Sequence, residues 1–160
     1  MHALGHPFGI IINLAGMAFN GVFDRFPNLR VGFLEAGVGW LLFCLERFDG
    51  SYEAFKPYNL RGEFIQLQPG EKLSGYIRRQ IDAGRIFIGC EGDEPLLPYA
   101  VKVVGSKPFM YSSDFPHEVT SETCKEEVAE LLGHEELTTA DKEAILHGNA
   151  ERFYQLKPAR

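Results

Sequence analysis

Apolar residues recur along this chain at intervals of three and four, which predicts amphipathic helices. The first helix is expected to begin at Phe8, with Pro7 in its first turn. Gly105 and Gly148 are expected to end two later helices, and Thr138 with Asp141 has the form of a capping box. The apolar positions of the predicted helices are, in chain order, Ile11, Ile12, Ala15, Phe19 and Val22; Leu41, Leu45, Phe48, Tyr52 and Phe55; Leu73, Tyr76, Ile77 and Ile81; Leu97, Ala100, Val101 and Val104; and Val128, Leu131 and Leu132.

Three short, mostly apolar runs lie between these helices and predict buried strands. They are 29–36, 85–90 and the run from Phe109 that ends in Ser112, Ser113 and Asp114. Strands that are apolar at almost every position are typical of parallel sheets covered on both faces. Strands that alternate with helices indicate parallel pairing. We therefore predict an α/β fold and a single domain over residues 1–160.

Composition and charge narrow the class of function. The chain has 160 residues and a formal net charge of −6, which argues against a nucleic-acid or anionic-membrane surface. Its first 23 residues carry no Lys, Arg, Asp or Glu, but Asn13 and Asn20 interrupt them and no basic segment precedes them, so we predict a core-facing helix there. Cys44, Cys90 and Cys124 are widely spaced and predict reduced thiols in a cytoplasmic protein.

An acidic residue follows each predicted strand: Glu35, Glu91 and Asp114. Adjacent parallel strands bring their carboxyl ends to one edge of the sheet, where carboxylates suit a divalent metal, acid–base chemistry, or both. The alternative is that these acids accept hydrogen bonds from the N–H groups of the following helices. That alternative is strongest for Glu91, since Asp93 and Glu94 lie close to it.

The histidines give weaker signals. His117 follows Asp114 by three residues and either shuttles a proton, binds substrate or makes a local hydrogen bond. His2 and His6 have the spacing of a helical metal-binding pair, but Pro7 predicts that both precede the helix, so this pairing is not expected. His134 and His147 are expected on the surface. The phosphate-binding and nucleophile-elbow motifs of nucleotide-binding and hydrolase folds do not occur in the sequence.

Five segments, taken together and in order, resemble the amidohydrolase-related family of metal-dependent hydrolases and decarboxylases. These segments are 21–31, 34–40, 90–94, 112–117 and 148–153. The resemblance implies the C-terminal part of a (β/α)8 barrel, and Asp114 matches the family's metal-binding aspartate after the eighth strand. It implies a divalent metal, commonly zinc, in the full-length parent, and leaves open whether this chain alone holds one. We predict Asp114 and Glu35 as catalytic, and His117 and Trp40 as substrate-binding.

The chain departs from the family pattern in two ways. Glu35 stands where the decarboxylase branch has a histidine, which puts the decarboxylase mechanism in question. The family's early His-x-His metal ligands do not occur in the sequence, and three strands cannot close an eight-stranded barrel. We therefore expect an incomplete and inactive part of a longer enzyme that acts on a small, carboxylated or cyclic substrate. The alternative is a non-catalytic interaction domain whose open sheet edge pairs with a second copy or a missing N-terminal half.

Overall fold

A three-stranded parallel sheet lies at the centre of the chain. The protein is described by a computed structural model that covers residues 2–117 and 119–156. Strand β1 is Val31–Phe33, β2 is Ile86–Cys90 and β3 is Phe109–Tyr111. They are ordered β1-β2-β3, with Val31 opposite Ile86 and Ile88 opposite Phe109. The predicted parallel pairing is confirmed.

Helices cover the sheet. They are α1 (His2–Phe19), α2 (Val22–Arg25), α3 (Gly39–Phe55), α4 (Leu73–Asp82), α5 (Leu97–Val104), α6 (Ser121–Gly133), α7 (Thr139–Glu143) and α8 (Asn149–Tyr154). A 3-10 turn at Lys56–Tyr58 follows α3, and a π-helical segment at Ala144–Gly148 joins α7 to α8. Helices α3 and α4 connect β1 to β2, and α5 connects β2 to β3, which is the expected strand–helix alternation.

The core forms where α1, α3 and α4 pack on one another and on the sheet. All five residues of β2 are buried, as its continuous apolar sequence predicted. The largest fully buried side chains include Phe23, Tyr76, Phe87 and Phe109. The helices at 39–55 and 73–82 were predicted correctly because their apolar positions keep one face toward this core.

Three predicted helix boundaries were wrong. Helix α1 begins at His2, so Pro7 lies inside it, and the backbone of His2 and His6 is helical. A proline there costs one hydrogen bond, to the carbonyl of Ala3 near the helix start. The sequence indicates Asp93 or Glu94 as the start of α5, but this helix begins at Leu97, with Pro98 in its first turn. Gly148 keeps helical backbone angles and does not end the helix.

Other predictions for single residues are confirmed. Thr138 and Asp141 form the capping box of α7, and Gly105 follows α5 with φ of 78°. All three cysteines are free thiols, and Cys44 and Cys90 are buried. Within the ranges that the structure covers, no helix is long and apolar enough to cross a membrane.

Candidate active site

The carboxyl ends of the three strands meet at a small cavity. Its walls are Glu35, Gly37, Gly89, Cys90, Glu91, Glu94, Ser112 and Asp114. The cavity measures about 20 Å³, which is room for a water molecule but not for an organic substrate. The predicted convergence of Glu35, Glu91 and Asp114 at one edge of the sheet is therefore observed.

Glu35 and Asp114 share an uncommon backbone conformation. Their φ angles are 70° and 57°, and among the described residues Gln155 is the one other non-glycine residue with positive φ. Few non-glycine residues adopt this left-handed conformation, which carries a steric cost. Such conformations concentrate at functional sites, where the surrounding structure enforces them. Both residues turn the chain immediately after a strand, and both line the cavity.

His117 contacts Asp114 through two hydrogen bonds. The distance between His117 Nδ1 and Asp114 Oδ1 is 2.7 Å, and the backbone N–H of His117 donates to the Asp114 carbonyl oxygen at 3.0 Å. The Asp114 side chain is 31% exposed, whereas that of His117 is 76% exposed. The imidazole therefore covers one side of the carboxylate while its own outer side faces solvent.

Glu94 links the loops that follow β1 and β2. Its Oε2 accepts a hydrogen bond from the backbone N–H of Val38 at 2.8 Å, and its Oε1 accepts one from the N–H of Glu91 at 2.9 Å. Burial raises the pKa of the Glu94 carboxyl, and these two hydrogen bonds partly offset that rise. Glu94, rather than an acid directly at a strand end, thus accepts the hydrogen bonds from backbone N–H groups.

Gly37 makes this link sterically possible. Its φ is 61°, and a Cβ atom at this position would lie 2.9 Å from Glu94 Oε2. A glycine is therefore required for both the turn and the close approach. The contact joins the loop that carries Glu35 to the segment before α5.

Negative charge accumulates around Glu91. Burial raises the pKa of its carboxyl most, and the neighbouring carboxylates of Glu94, Asp93, Glu127 and Glu35 raise it further. No basic side chain lines the cavity. A cluster of this kind favours a bound proton or cation near neutral pH.

Comparison with known proteins identifies the family. Residues 14–156 match the sequence profile described as Amidohydrolase, which is most of the chain. The chain belongs to the amidohydrolase family. Its sequence is 29% identical over 156 residues to 2-amino-3-carboxymuconate-6-semialdehyde decarboxylase of Dictyostelium discoideum. That match covers 97% of this chain but 39% of the relative's length.

Solved amidohydrolase-type structures share the fold. An amidohydrolase from Mycobacterium avium subsp. paratuberculosis K-10 superposes with a TM-score of 0.68 at 22% identity, covering 92% of this chain and 33% of that one. The 5-carboxyvanillate decarboxylase of Sphingomonas paucimobilis gives a TM-score of 0.67 at 24% identity, covering 91% and 39%. The predicted fold, part of a (β/α)8 barrel with three parallel strands, is confirmed.

The described residues do not by themselves fit the metal centre expected of an amidohydrolase. Across 2–117 and 119–156, no group of three or more His, Cys, Asp or Glu side chains is placed to hold a metal ion, whereas catalytic zinc has three protein ligands. Burial raises the pKa of Cys44 to about 12 and raises that of Cys90 as well, so neither thiol is a thiolate near neutral pH. Asp114 remains the one predicted ligand.

The four predicted site residues take different positions in this chain. Asp114 and Glu35 lie together in the cavity wall, and His117 is bonded to Asp114. Trp40 lies apart, buried in the core at 6% exposure, with its ring 5.5 Å from that of Phe33. The catalytic and substrate-binding roles of these four residues remain predictions.

Two contacts in and next to the site were not predicted from the sequence. Glu94 was considered as a helix start and as an acceptor for N–H groups of the following helix, not as a link to Val38, and Tyr111, the last residue of β3, was taken as strand core. The Tyr111 hydroxyl donates toward the Cys124 carbonyl oxygen and Glu127 Oε2, each at 3.2 Å. Burial and the Glu127 charge raise the Tyr111 pKa, so the phenol stays protonated. No local sequence pattern indicates either contact.

Proposed function

We propose that this chain supplies the last three strands of a metal-dependent decarboxylase or hydrolase barrel, with Asp114 as its metal-binding carboxylate. The observation that carries the proposal is the position of Asp114. It follows the third described strand, lines the cavity with Glu35 and Glu91, and has positive φ. Carboxyl ends of barrel strands are where catalytic groups gather in this architecture.

His117 positions the Asp114 carboxylate. Its imidazole engages Oδ1 at 2.7 Å. The hydrogen bond therefore orients the carboxylate, which is the group proposed to bind the metal. Ligand carboxylates are commonly fixed by such outer hydrogen bonds.

A small carboxylated molecule is the proposed substrate class. Two of the similar proteins are decarboxylases, one of a carboxymuconate semialdehyde and one of carboxyvanillate. Glu35 is proposed as the acid–base group, because it shares the cavity wall with Asp114. His117 and Trp40 are the proposed substrate contacts, and Trp40 reaches substrate only if the core around Phe33 opens toward the site.

The reaction is proposed to need groups from outside this chain's described residues. One aspartate is too few for a catalytic metal, the cavity of about 20 Å³ is too small for an aromatic acid, and the relative is much longer. By itself the chain is expected to be inactive. Three free cysteines support a reducing, cytoplasmic location.

Paramagnetic line broadening tests the metal role of Asp114. Titration of the 15N-labelled chain with Mn²⁺ is expected to broaden the amide signals around Glu35, Glu91 and Asp114 first, and Asp114→Asn is expected to weaken that effect. Asp82→Asn is the matched control, because Asp82 is an exposed aspartate paired with Lys107. Broadening at Asp114 that persists in Asp114→Asn would contradict the assignment.

A chimaera tests the reaction itself. In it, this chain replaces the matching 39% of the Dictyostelium decarboxylase. Decarboxylation of the relative's substrate by the chimaera and its loss in the Asp114→Asn chimaera would support the proposal. An Asp114→Asn chimaera as active as its parent would refute it.

Open sheet edges favour a second candidate function, an interaction domain. Among the described residues, β1 and β3 each pair with β2 alone, and unpaired strand edges recruit partners. Leu4, Phe8 and Ile12 also form an exposed apolar row along α1. Sedimentation analysis tests it: concentration-dependent self-association of the wild-type chain supports this function, and a monomer at all concentrations opposes it.

A further inference from the structure

A second cavity lies at the opposite end of the sheet, next to the residues that precede β1 and β2. It is lined by Pro27, Asn28, Arg30, Ala83, Gly84, Arg85 and Gln155. Its volume is about 530 Å³, within the range of small-molecule sites. Unlike the site at the carboxyl ends of the strands, it contains basic side chains and no acidic one.

Arg30 and Arg85 each immediately precede a strand, β1 and β2, at equivalent positions. Val31 pairs with Ile86, and the N–H of Val31 donates to the Arg85 carbonyl oxygen at 2.9 Å. The backbones of the two arginines therefore lie side by side at the start of the two strands, about 5 Å apart. Like charges at adjacent positions of a sheet destabilise it unless an opposite charge compensates them.

Only neutral groups contact these two guanidinium groups in the described structure. Arg30 Nη1 donates to the Arg152 carbonyl oxygen at 3.1 Å, and the side-chain amide of Gln155 lies against the same guanidinium. Arg85 Nη1 donates to the Phe23 carbonyl oxygen at 2.7 Å, while its Nε is buried without a partner. None of the ion pairs found among residues 2–117 and 119–156 includes Arg30, Arg85 or Arg152.

Two acidic residues lie on neighbouring helices. Glu151 lies 3.4 Å from His147. Asp24 and Arg85 both act on the Tyr76 hydroxyl, where Asp24 raises the pKa and Arg85 lowers it, so Asp24 compensates part of the Arg85 charge. In a chain of net charge −6, two adjacent arginines at a cavity that no carboxylate lines form a positive site that is only partly compensated. The Arg152 guanidinium adds a third charge close by, over the ring of Phe87 at 5.7 Å.

We propose that this cavity binds the phosphate group of a small phosphate monoester, held by Arg30 and Arg85. A phosphate monoester carries a charge of about −1.5 to −2 near neutral pH, which matches the two arginines, whereas a single carboxylate does not. Guanidinium groups bind phosphate oxygens through paired hydrogen bonds. Pro27 and Ala83 give the cavity an apolar wall for the organic part.

The site is independent of the metal-binding role proposed for Asp114, because it lies at the other end of the strands. Absence of phosphate binding would therefore not contradict the proposed decarboxylase or hydrolase function. Absence of metal binding by Asp114 would likewise not contradict the proposed phosphate site.

Titration of the 15N-labelled chain tests the proposal. The probes are phenyl phosphate, inorganic phosphate and acetate at constant ionic strength, which separates specific binding from screening. Phenyl phosphate is expected to shift the amide signals of Asn28 and Gly84, and to bind more tightly than inorganic phosphate. Equal shifts with acetate, or shifts absent from these amides, would overturn the assignment.

Variants identify the binding groups. Arg30→Gln and Arg85→Gln are each expected to weaken phenyl phosphate binding at least tenfold, which corresponds to about 1.4 kcal/mol. Arg61→Gln is the matched control, because Arg61 is 86% exposed and contacts Glu63 in a distant loop. Arg85→Gln also loses the bond to Phe23, so Arg30→Gln decides the outcome if that variant fails to fold. Arg30→Gln binding as tightly as Arg61→Gln would refute the proposal.

Discussion

Replacement of Asn149 by alanine should destabilise the chain and displace the strand that leads to Asp114. Asn149 is 1% exposed, and its Nδ2 donates to the carbonyl oxygens of Ser106 at 2.8 Å and Phe109 at 2.7 Å. Its Oδ1 accepts from Arg152 Nη1 at 3.1 Å. The side chain thus fastens α8 to the beginning of β3.

The expected magnitude follows from what each lost hydrogen bond leaves behind. The Phe109 carbonyl becomes a buried acceptor without this partner, which costs about 1 to 3 kcal/mol. The Ser106 carbonyl keeps the N–H of Phe109 at 3.2 Å, so its loss is about 1 kcal/mol. Arg152 is exposed and water replaces its partner. Alanine recovers about 0.6 kcal/mol of helix propensity, which leaves a net loss of about 1.5 to 3.5 kcal/mol.

Urea unfolding followed by tryptophan fluorescence measures this change, because Trp40 is the only tryptophan in the sequence and is buried. Asn13→Ala is the matched control: Asn13 is exposed on α1 and donates to the Gly9 carbonyl oxygen at 2.8 Å, so its replacement should change the free energy of unfolding by less than about 0.5 kcal/mol. Equal effects of the two substitutions would refute the reasoning.

Three further predictions concern the loops and charges. Gly37→Ala should destabilise the chain by about 1 to 2 kcal/mol, because Gly37 has positive φ and its added Cβ would contact Glu94. Gly50 is exposed in α3, so Gly50→Ala should instead stabilise the chain by about 0.5 to 1 kcal/mol. The midpoints of urea unfolding distinguish these two outcomes. The raised pKa of Glu94 means that its ionisation opposes folding, so stability should fall as pH rises from about 4.5, and this fall should be smaller in Glu94→Gln. Its persistence in that variant would contradict the role of burial. The pKa of Glu71 is lowered by its hydrogen bonds with Arg79. Because Arg79 is 39% exposed, the pair should contribute about 1 kcal/mol to stability, and this contribution should be lost as pH falls below about 4.5. Glu71→Gln should remove this loss of stability at acid pH, as measured by unfolding at a series of pH values.

The elements that were predicted correctly are those whose sequence signal is local. The apolar run at 86–90 has the length and composition of a strand buried on both faces. The capping box at Thr138 uses a partner three residues away. The acids at strand ends could be placed together because parallel strands share one carboxyl edge. In each case the relevant physics acts within a few residues or follows from sheet geometry.

The features that were missed depend on contacts distant in sequence. Glu94 bonds Val38 across 56 positions, and no spacing rule links them. Gly148 has the composition of a helix end, yet packing of the segment at 144–148 against β3, fixed by Asn149, keeps the helix continuous. Pro7 was taken as a helix start because proline favours the first turn, but α1 tolerates it five residues further in.

Metal content tests the central claim most directly, namely that Asp114 is a metal-binding carboxylate whose site the described residues do not complete. The purified chain would be equilibrated with Zn²⁺, desalted and assayed by inductively coupled plasma mass spectrometry. The account predicts far less than one retained zinc ion per chain. One zinc ion per chain, retained on desalting and lost in Asp114→Asn, would show a complete centre and contradict it.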